Sequence, residues 1–192
     1  MRAPLTVAAV QPPCRRKDVR ANALEHAGTI RRSKARVVVF PELSLTGYEL
    51  DADSVSPDDE ALLPVVAARA NPGTTAFIGA PVTGERNTVH IGTLQVSSEG
   101  VEVAYRKRYL GRDEAKRFSP GGGAVARDVD GWRVGIGKDT DVDQHVADTA
   151  ALHVDLYVAG LWSPAGTAIA RAESAPGGIA RACLPVNASG SS

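Results

Sequence analysis

Cysteine is nearly absent from this sequence, and its two copies, Cys14 and Cys183, stand too far apart to frame a disulfide scaffold or to give metal-ligand spacing. A reducing cytoplasm is therefore the expected location, and no metal or other cofactor is expected. No apolar run approaches the length of a membrane-spanning helix. The N-terminal MRAPLTVAAVQPP lacks the longer apolar segment and small-residue cleavage site of a signal peptide. An excess of either charge is missing too. The 22 Lys and Arg match 22 Asp and Glu, which argues against a nucleic acid or an anionic membrane as partner. His26 and His90 are isolated, and His145 and His153 have no third ligand nearby, so surface or core positions are expected for them. The run Pro120 to Gly123 lacks the G-x-x-x-x-G-K-[ST] spacing of a phosphate loop and reads as a flexible loop.

What is present is enough chain, 192 residues, for one domain with a sizeable core. That domain is assigned to residues 1–186, with NASGSS, 187–192, as a disordered tail. LTVAAVQ is an apolar first strand. From Asp18 to Arg32, Val19, Ala23, Leu24, Ala27 and Ile30 recur at helical spacing, with basic residues at the C-terminal end where the helix dipole favours them. ARVVVFPE is continuously apolar, as suits a strand covered on both faces. Strand, helix, strand then implies a parallel, right-handed crossover. A second helix is expected in 57–70, capped by Ser56 with an acidic first turn. TTAFIGAPV is a third strand, HIGTLQVSSEGVEVAYRK a hairpin, GWRVGIGKDT a strand after a Gly-rich loop, and DQHVADTAAL a helix. DLYVAGL is a strand, WSPAGTAIARAE a hairpin turning at Pro164 to Gly166, and IARACL a last strand with Cys183 in the core. The sum is a sheet-rich α/β domain with helices on its outer faces.

Glu42 follows Val37–Phe40 and a proline, at the carboxyl end of a buried strand, where ligands of open α/β sheets collect. A partly desolvated carboxylate there suits a general base or acid; equally, it can cap a backbone or pair with an arginine. Lys107 ends VEVAYRK. It can donate to a developing oxyanion, or it is one solvent-facing member of the basic run 106–108. Glu114 reads by itself as an exposed charge on a short helix.

In combination these residues say more. FPEL-x-LTGY, YRK-x-YL and E-x-x-x-F-x-PGG, in this order, together with the early AAVQ and the late strand–KDT–helix–DLYVAG, resemble the nitrilase superfamily of carbon–nitrogen hydrolases over nearly the whole chain. The resemblance implies a four-layer α–β–β–α sandwich and a Glu–Lys–Cys triad acting on a small-molecule amide or nitrile. On this chain it makes Glu42 the general base and Lys107 the oxyanion donor, with Glu114 supporting the lysine. Tyr48, Lys138 and Asp139 fall in the substrate-binding wall. It also implies association, either as a homo-oligomer or with an active relative.

Two departures from the family pattern stand out. Where relatives read G-I-C-K-D-T, this chain reads Gly135, Ile136, Gly137, Lys138, Asp139, Thr140, so the nucleophilic cysteine is missing. About two residues are lost between Gly137 and Lys138, and a register change in that strand is possible on so short a frame. Near Leu161 and Trp162, roughly fifty residues, an α/β unit of the kind that covers a sheet face, are lost too, making a truncated sandwich. Impaired or absent turnover is the expectation, with a catalytically inert binding or assembly subunit as the alternative.

Overall fold

The computed structural model describes residues 2–68, 73–137, 142–158, 161–162, 168–170 and 178–184. The first strand, β1 (Leu5–Gln11), leads to α1 (Val19–Ser33), whose entry is fixed by the Asp18 carboxylate accepting the Ala21 N–H at 2.9 Å. The chain returns as β2 (Val37–Val39), parallel to β1 in the register Val7↔Val37 to Ala9↔Val39, so the expected crossover is formed. The strand β3 (Thr75–Thr83) lies parallel to β2, and the hairpin β4 (Val89–Ser97) and β5 (Gly100–Arg106) extends the sheet antiparallel. The last strand, β11 (Gly178–Leu184), pairs antiparallel with the other side of β1, giving the order β11-β1-β2-β3-β4-β5.

The second sheet contains β6 (Val125–Val129), β7 (Trp132–Ile136), β8 (Leu156–Val158), β9 (Leu161–Trp162) and β10 (Ala168–Ala170), in the order β10-β9-β8-β7-β6. The helix α3 (Val142–Ala150) connects β7 to the parallel β8.

Period-two alternation sorts the side chains into layers. On one face of the first sheet, Ala8, Val10, Val38, Ile78, Leu94 and Val96 pack under α1 and α2 (Leu63–Ala68). On the other, Val7, Ala9, Val37, Val39 and Phe77 meet Trp132, Val134, Ile136, Leu156 and Val158 of the second sheet. The outward face of β7 takes α3, where Thr149 lies against Gly135. The layers therefore run α–β–β–α, as the family resemblance implies. The N-terminus pins the two sheets together. Arg2 makes a two-pronged ion pair with Asp155 at 2.7 and 2.9 Å and lies 3.7 Å over the Trp132 ring, whose Nε1 donates to the Ala3 carbonyl.

Several local expectations are corrected. The second helix starts later than proposed: a 3-10 turn, Glu60–Leu62, capped by Asp59 rather than Ser56, leads into α2. Leu24 is 56% exposed, because it lies one residue, about 100° around the helix, beyond the stripe made by Ala23, Ala27 and Ile30. The segment before Gly131 is not all loop, since Val125–Val129 forms β6. Cys183 is exposed rather than in the core. Arg181 donates to the Ser33 carbonyl at the end of α1 at 3.3 Å, and Cys183 lies opposite Thr6 of β1. The turn at 164–166 and the tail at 187–192 lie outside the described residues, as do the side chains around the expected deletion near Leu161.

Candidate active site

Glu42 is delivered by β2 in a backbone path that the neighbouring strand must make room for. Phe40 N–H donates to the Phe77 carbonyl at 2.8 Å, and the chain then crosses over Gly79 of β3. A Cβ on Gly79 would stand 2.5 Å from Leu43 N and 2.8 Å from Glu42 Cα, so only glycine admits this crossing. Leu43 then takes a left-handed conformation (φ 52°) and opens a 3-10 turn, Ser44–Thr46. Behind it His26 of α1 is fully buried, stacked on Phe40 at 4.3 Å and hydrogen-bonded through Nε2 to Ser44 Oγ at 2.9 Å. Burial holds this imidazole down to about 4.

Lys107 leaves β5 with its own N–H on the Ile91 carbonyl and its carbonyl accepting the Gly121 N–H, both at 2.7 Å. The Pro120–Gly123 run is thus not a free loop. It packs on the backbone of β5, and a Cβ on Gly121 would lie 2.6 Å from the Arg106 carbonyl carbon. The Lys107 side chain is 2% exposed, which overturns its reading as a solvent-facing charge. Its ammonium donates to Glu42 Oε1 at 3.2 Å and to Glu114 Oε1 at 2.9 Å. Glu114, in a 3-10 turn after Gly111, is also far from exposed: its other oxygen accepts the Gly111 N–H at 2.6 Å. Burial alone would raise the Glu114 carboxyl. The hydrogen bonds from Lys107 and Gly111, the lysine charge and a contact with Glu42 outweigh it and hold the group below the usual range. A small apolar knot of Leu43, Ile91 and Phe118 joins the segments that carry the three charged residues.

Three residues from distant parts of the chain therefore converge, with one buried cation between two carboxylates. Such a set can hold an ammonium donor toward an oxyanion while a carboxylate beside it takes or returns a proton. Tyr48 lies at the margin, 45% exposed, in a left-handed conformation (φ 66°). Desolvation at its hydroxyl, with the charges of Cys14 and Glu42, pushes it up to about 12 against a hydrogen bond with Gln11. Lys138 and Asp139 lie outside the described residues.

No thiol joins the set. Cys14 donates to the Pro12 carbonyl at 3.4 Å and lines a cleft with Ala21, Asn22 and Leu24 of α1. Burial, and the nearby Glu25, push its thiol up to about 11, which leaves it protonated and unreactive at neutral pH. At the end of β7 stands Gly137, its N–H on the Val158 carbonyl; the stretch just after it, where the family pattern puts the cysteine and about two residues are expected to be lost, lies outside the described residues. Sequence reasoning passed over Gly79 and Gly121, although an isolated glycine inside FIGAPV is itself a signal of close backbone approach. It left His26 and His145 as isolated surface or core residues; both are buried, which a lone histidine does not signal.

Comparison with known proteins agrees with this layout. Among solved structures, an amidase from Nesterenkonia sp. superposes with a TM-score of 0.77 at 18% identity, over 94% of this chain and 90% of that one. Saccharomyces cerevisiae Nit3, of branch 10 of the nitrilase superfamily, gives 0.77 at 16%, over 96% and 91%. The glutamine-dependent NAD+ synthetase of Acinetobacter baumannii gives 0.64 at 20%, over 80% of this chain and 31% of that one. No curated protein matches. The carbon-nitrogen hydrolase family profile matches residues 6–189, and the chain belongs to that family.

Proposed function

We propose that the Glu42–Lys107–Glu114 centre receives a small-molecule amide or nitrile, and that its turnover is weak or absent because no cysteine stands ready to attack. The observation that carries this reading is the Lys107 ammonium, 2% exposed and set between two carboxylates at 2.9 and 3.2 Å. A lysine is not buried in this way without a partner, and here it keeps two. In the proposed roles Glu42 is the general base, Lys107 the donor to an oxyanion and Glu114 the support of the lysine, with Tyr48, Lys138 and Asp139 lining the substrate's approach. The family's thioester step has no group to perform it.

Mutants of the Nesterenkonia amidase have been solved with butyramide and with acrylamide, and these two amides are the test ligands. Incubated with the purified chain, they should release ammonia far below the roughly 1–10³ s⁻¹ of ordinary enzymes. They should still perturb the signals of the site in an NMR titration. Release at an ordinary rate, abolished by Glu42→Ala, would disprove impaired turnover, and silence of both ligands in the titration would count against the site.

The second reading is a catalytically inert subunit that binds a small ligand or assembles with copies of itself or with an active relative in the cytoplasm. The lack of a cysteine before Lys138, where the family pattern carries one, favours it. Light scattering decides the assembly part, since a clean monomer that captures no relative would remove it.

A further inference from the structure

We propose that α3 is a further support of Lys107, with His145 and Asp148 as positioning residues. They hold Tyr105 and Tyr109, which flank the lysine, and so fix the stretch of chain that aims its ammonium at Glu42 and Glu114. The proposal rests on the reading of that centre as a ligand site and names what steadies it from the side of the second sheet.

The need for such a support follows from where Lys107 sits. The strand β5 ends at Arg106, and Lys107 bonds to the Ile91 carbonyl just past that end. Residues 108–110, which follow, belong to no strand or helix. A side chain takes its direction from the backbone on both sides of it, and here the sheet holds only the side before. Connecting segments move more than the elements they join, so the stretch after the lysine needs an anchor of its own.

The helix α3 meets both flanks. Before the lysine, the Tyr105 hydroxyl shares a hydrogen bond with His145 Nε2 at 3.0 Å, and the two rings meet edge to face with centroids 5.5 Å apart. His145 is fixed in turn through Nδ1, which lies 3.1 Å from Thr149 Oγ1 and 3.3 Å from the Tyr157 hydroxyl of β8. All four side chains are buried, so breaking a link leaves a polar group unpaired away from solvent. After the lysine, the Tyr109 hydroxyl donates to Asp148 Oδ2 at 3.1 Å, and Arg108 pairs with the same oxygen at 3.4 Å. Asp148 accepts from Gln144 Nε2 at 2.9 Å as well. The bond from Gln144, with Tyr109 and Arg108 behind it, outweighs desolvation and holds the Asp148 carboxyl below the usual range. Three residues apart on one helix, His145 and Asp148 are neighbours on its surface. Together they span 105 to 109, with Lys107 at the centre.

Chemical labelling reads the position of the lysine directly. Acetylation by N-hydroxysuccinimidyl acetate, located by peptide mass spectrometry, should be slow at the buried Lys107 and fast at the exposed Lys34. Asp148→Ala should raise the ratio of Lys107 to Lys34 labelling by roughly 5-fold, about what one hydrogen bond of ordinary net strength is worth, and weaken butyramide binding by a similar factor. Asp148→Asn still offers Tyr109 an acceptor and should restore most of both, because the exposed pair with Arg108 contributes little. Tyr105→Phe should raise the ratio at least as far; if it does not fold, Tyr109→Phe takes its place. Val65→Ala, in the core on the far face of the first sheet, measures the effect of plain destabilisation. A ratio in Asp148→Ala and the tyrosine variant no higher than in Val65→Ala, or no recovery in Asp148→Asn, overturns the proposal. Labelling needs no ligand. The expected labelling without any amide binding would therefore count against the amide reading alone, and unchanged labelling with the amide still bound would strike only the role of α3.

Discussion

Two glycines, one in the middle of β3 in the first sheet and one just past β7 in the second, serve opposite ends in this molecule. Gly79 of β3 leaves room for backbone, and the segment that enters carries Glu42 toward Lys107. Gly137, after β7, leaves room for a side chain, and the Tyr157 ring enters it. The same missing Cβ admits the main chain of the charged arm in one place and an aromatic ring in the other. The charged arm is the part that keeps its shape, so perturbations there should be the most costly.

Removing the cation is the largest expected effect. Lys107→Ala leaves Glu42 and Glu114 facing one another in a mostly buried place, and breaking a buried pair costs roughly 3–5 kcal/mol. Urea denaturation at neutral pH would measure it, and a loss below about 1 kcal/mol would mean the three groups are wetter than they look. The loss should shrink on acidification. Glu114 is held below its ordinary value, so its contribution is complete above about pH 4.5 and fades as pH falls through the lowered value.

Next come the glycines of the charged arm. Gly79→Ala and Gly121→Ala each drive a methyl into backbone, at Pro41–Leu43 in one case and at Arg106 in the other. Each should cost about 2–3 kcal/mol, as overpacking does. Because the strained backbone carries Glu42 or Lys107, each should also weaken amide binding by more than an equally destabilising change elsewhere in the core. Equal binding losses would sever the link between these glycines and the site.

Acid probes the support behind Glu42. His26 is neutral in the fold and held to about 4, against 6.5 when unfolded. A depressed histidine adds stability that is complete above pH 6.5 and is lost as pH falls toward the folded value, because the unfolded chain takes up the proton first. Between pH 7 and 5 the loss should be about 2 kcal/mol. In His26→Gln, which has no titrating group, the melting temperature should change much less over the same interval.

These differences explain what could be read from the residues alone. The crossover β1–α1–β2, the β4–β5 hairpin and the positions of Glu42 and Lys107 at strand ends were all legible, because apolar periodicity and strand-end placement are local signals. The burial of Lys107 was not. Its neighbours Arg106 and Arg108 make the local composition basic, and only the long-range arrival of Glu42 and Glu114 explains why one cation of three turns inward. The cap at Asp59 was missed because Ser56, Asp58 and Asp59 all offer suitable oxygens, and the choice among them depends on where tertiary packing starts the turn. β6 carries Arg127 and Asp128 in a short edge strand, so its alternation is faint. Tyr157 looked like one more apolar residue of a buried strand, since its meaning depends on the glycine beside it in space.

The smallest prediction separates packing from composition within two consecutive residues. Gly121 and Gly122 are identical in type and adjacent in a loop that reads as uniformly flexible, yet a Cβ on Gly121 meets Arg106 whereas one on Gly122 meets nothing within 4 Å. Gly122 is also not among the glycines with positive φ. Gly122→Ala should therefore be neutral or add about 0.4–1 kcal/mol, by reducing the freedom of the unfolded chain. Its neighbour's substitution carries the cost given above. If thermal melting finds both variants equally stable, the loop is mobile over Arg106, and Lys107 takes no support from it. If it finds the split, the glycine run is a fitted brace under the lysine, and the charged arm is held from its backbone as well as from its carboxylates.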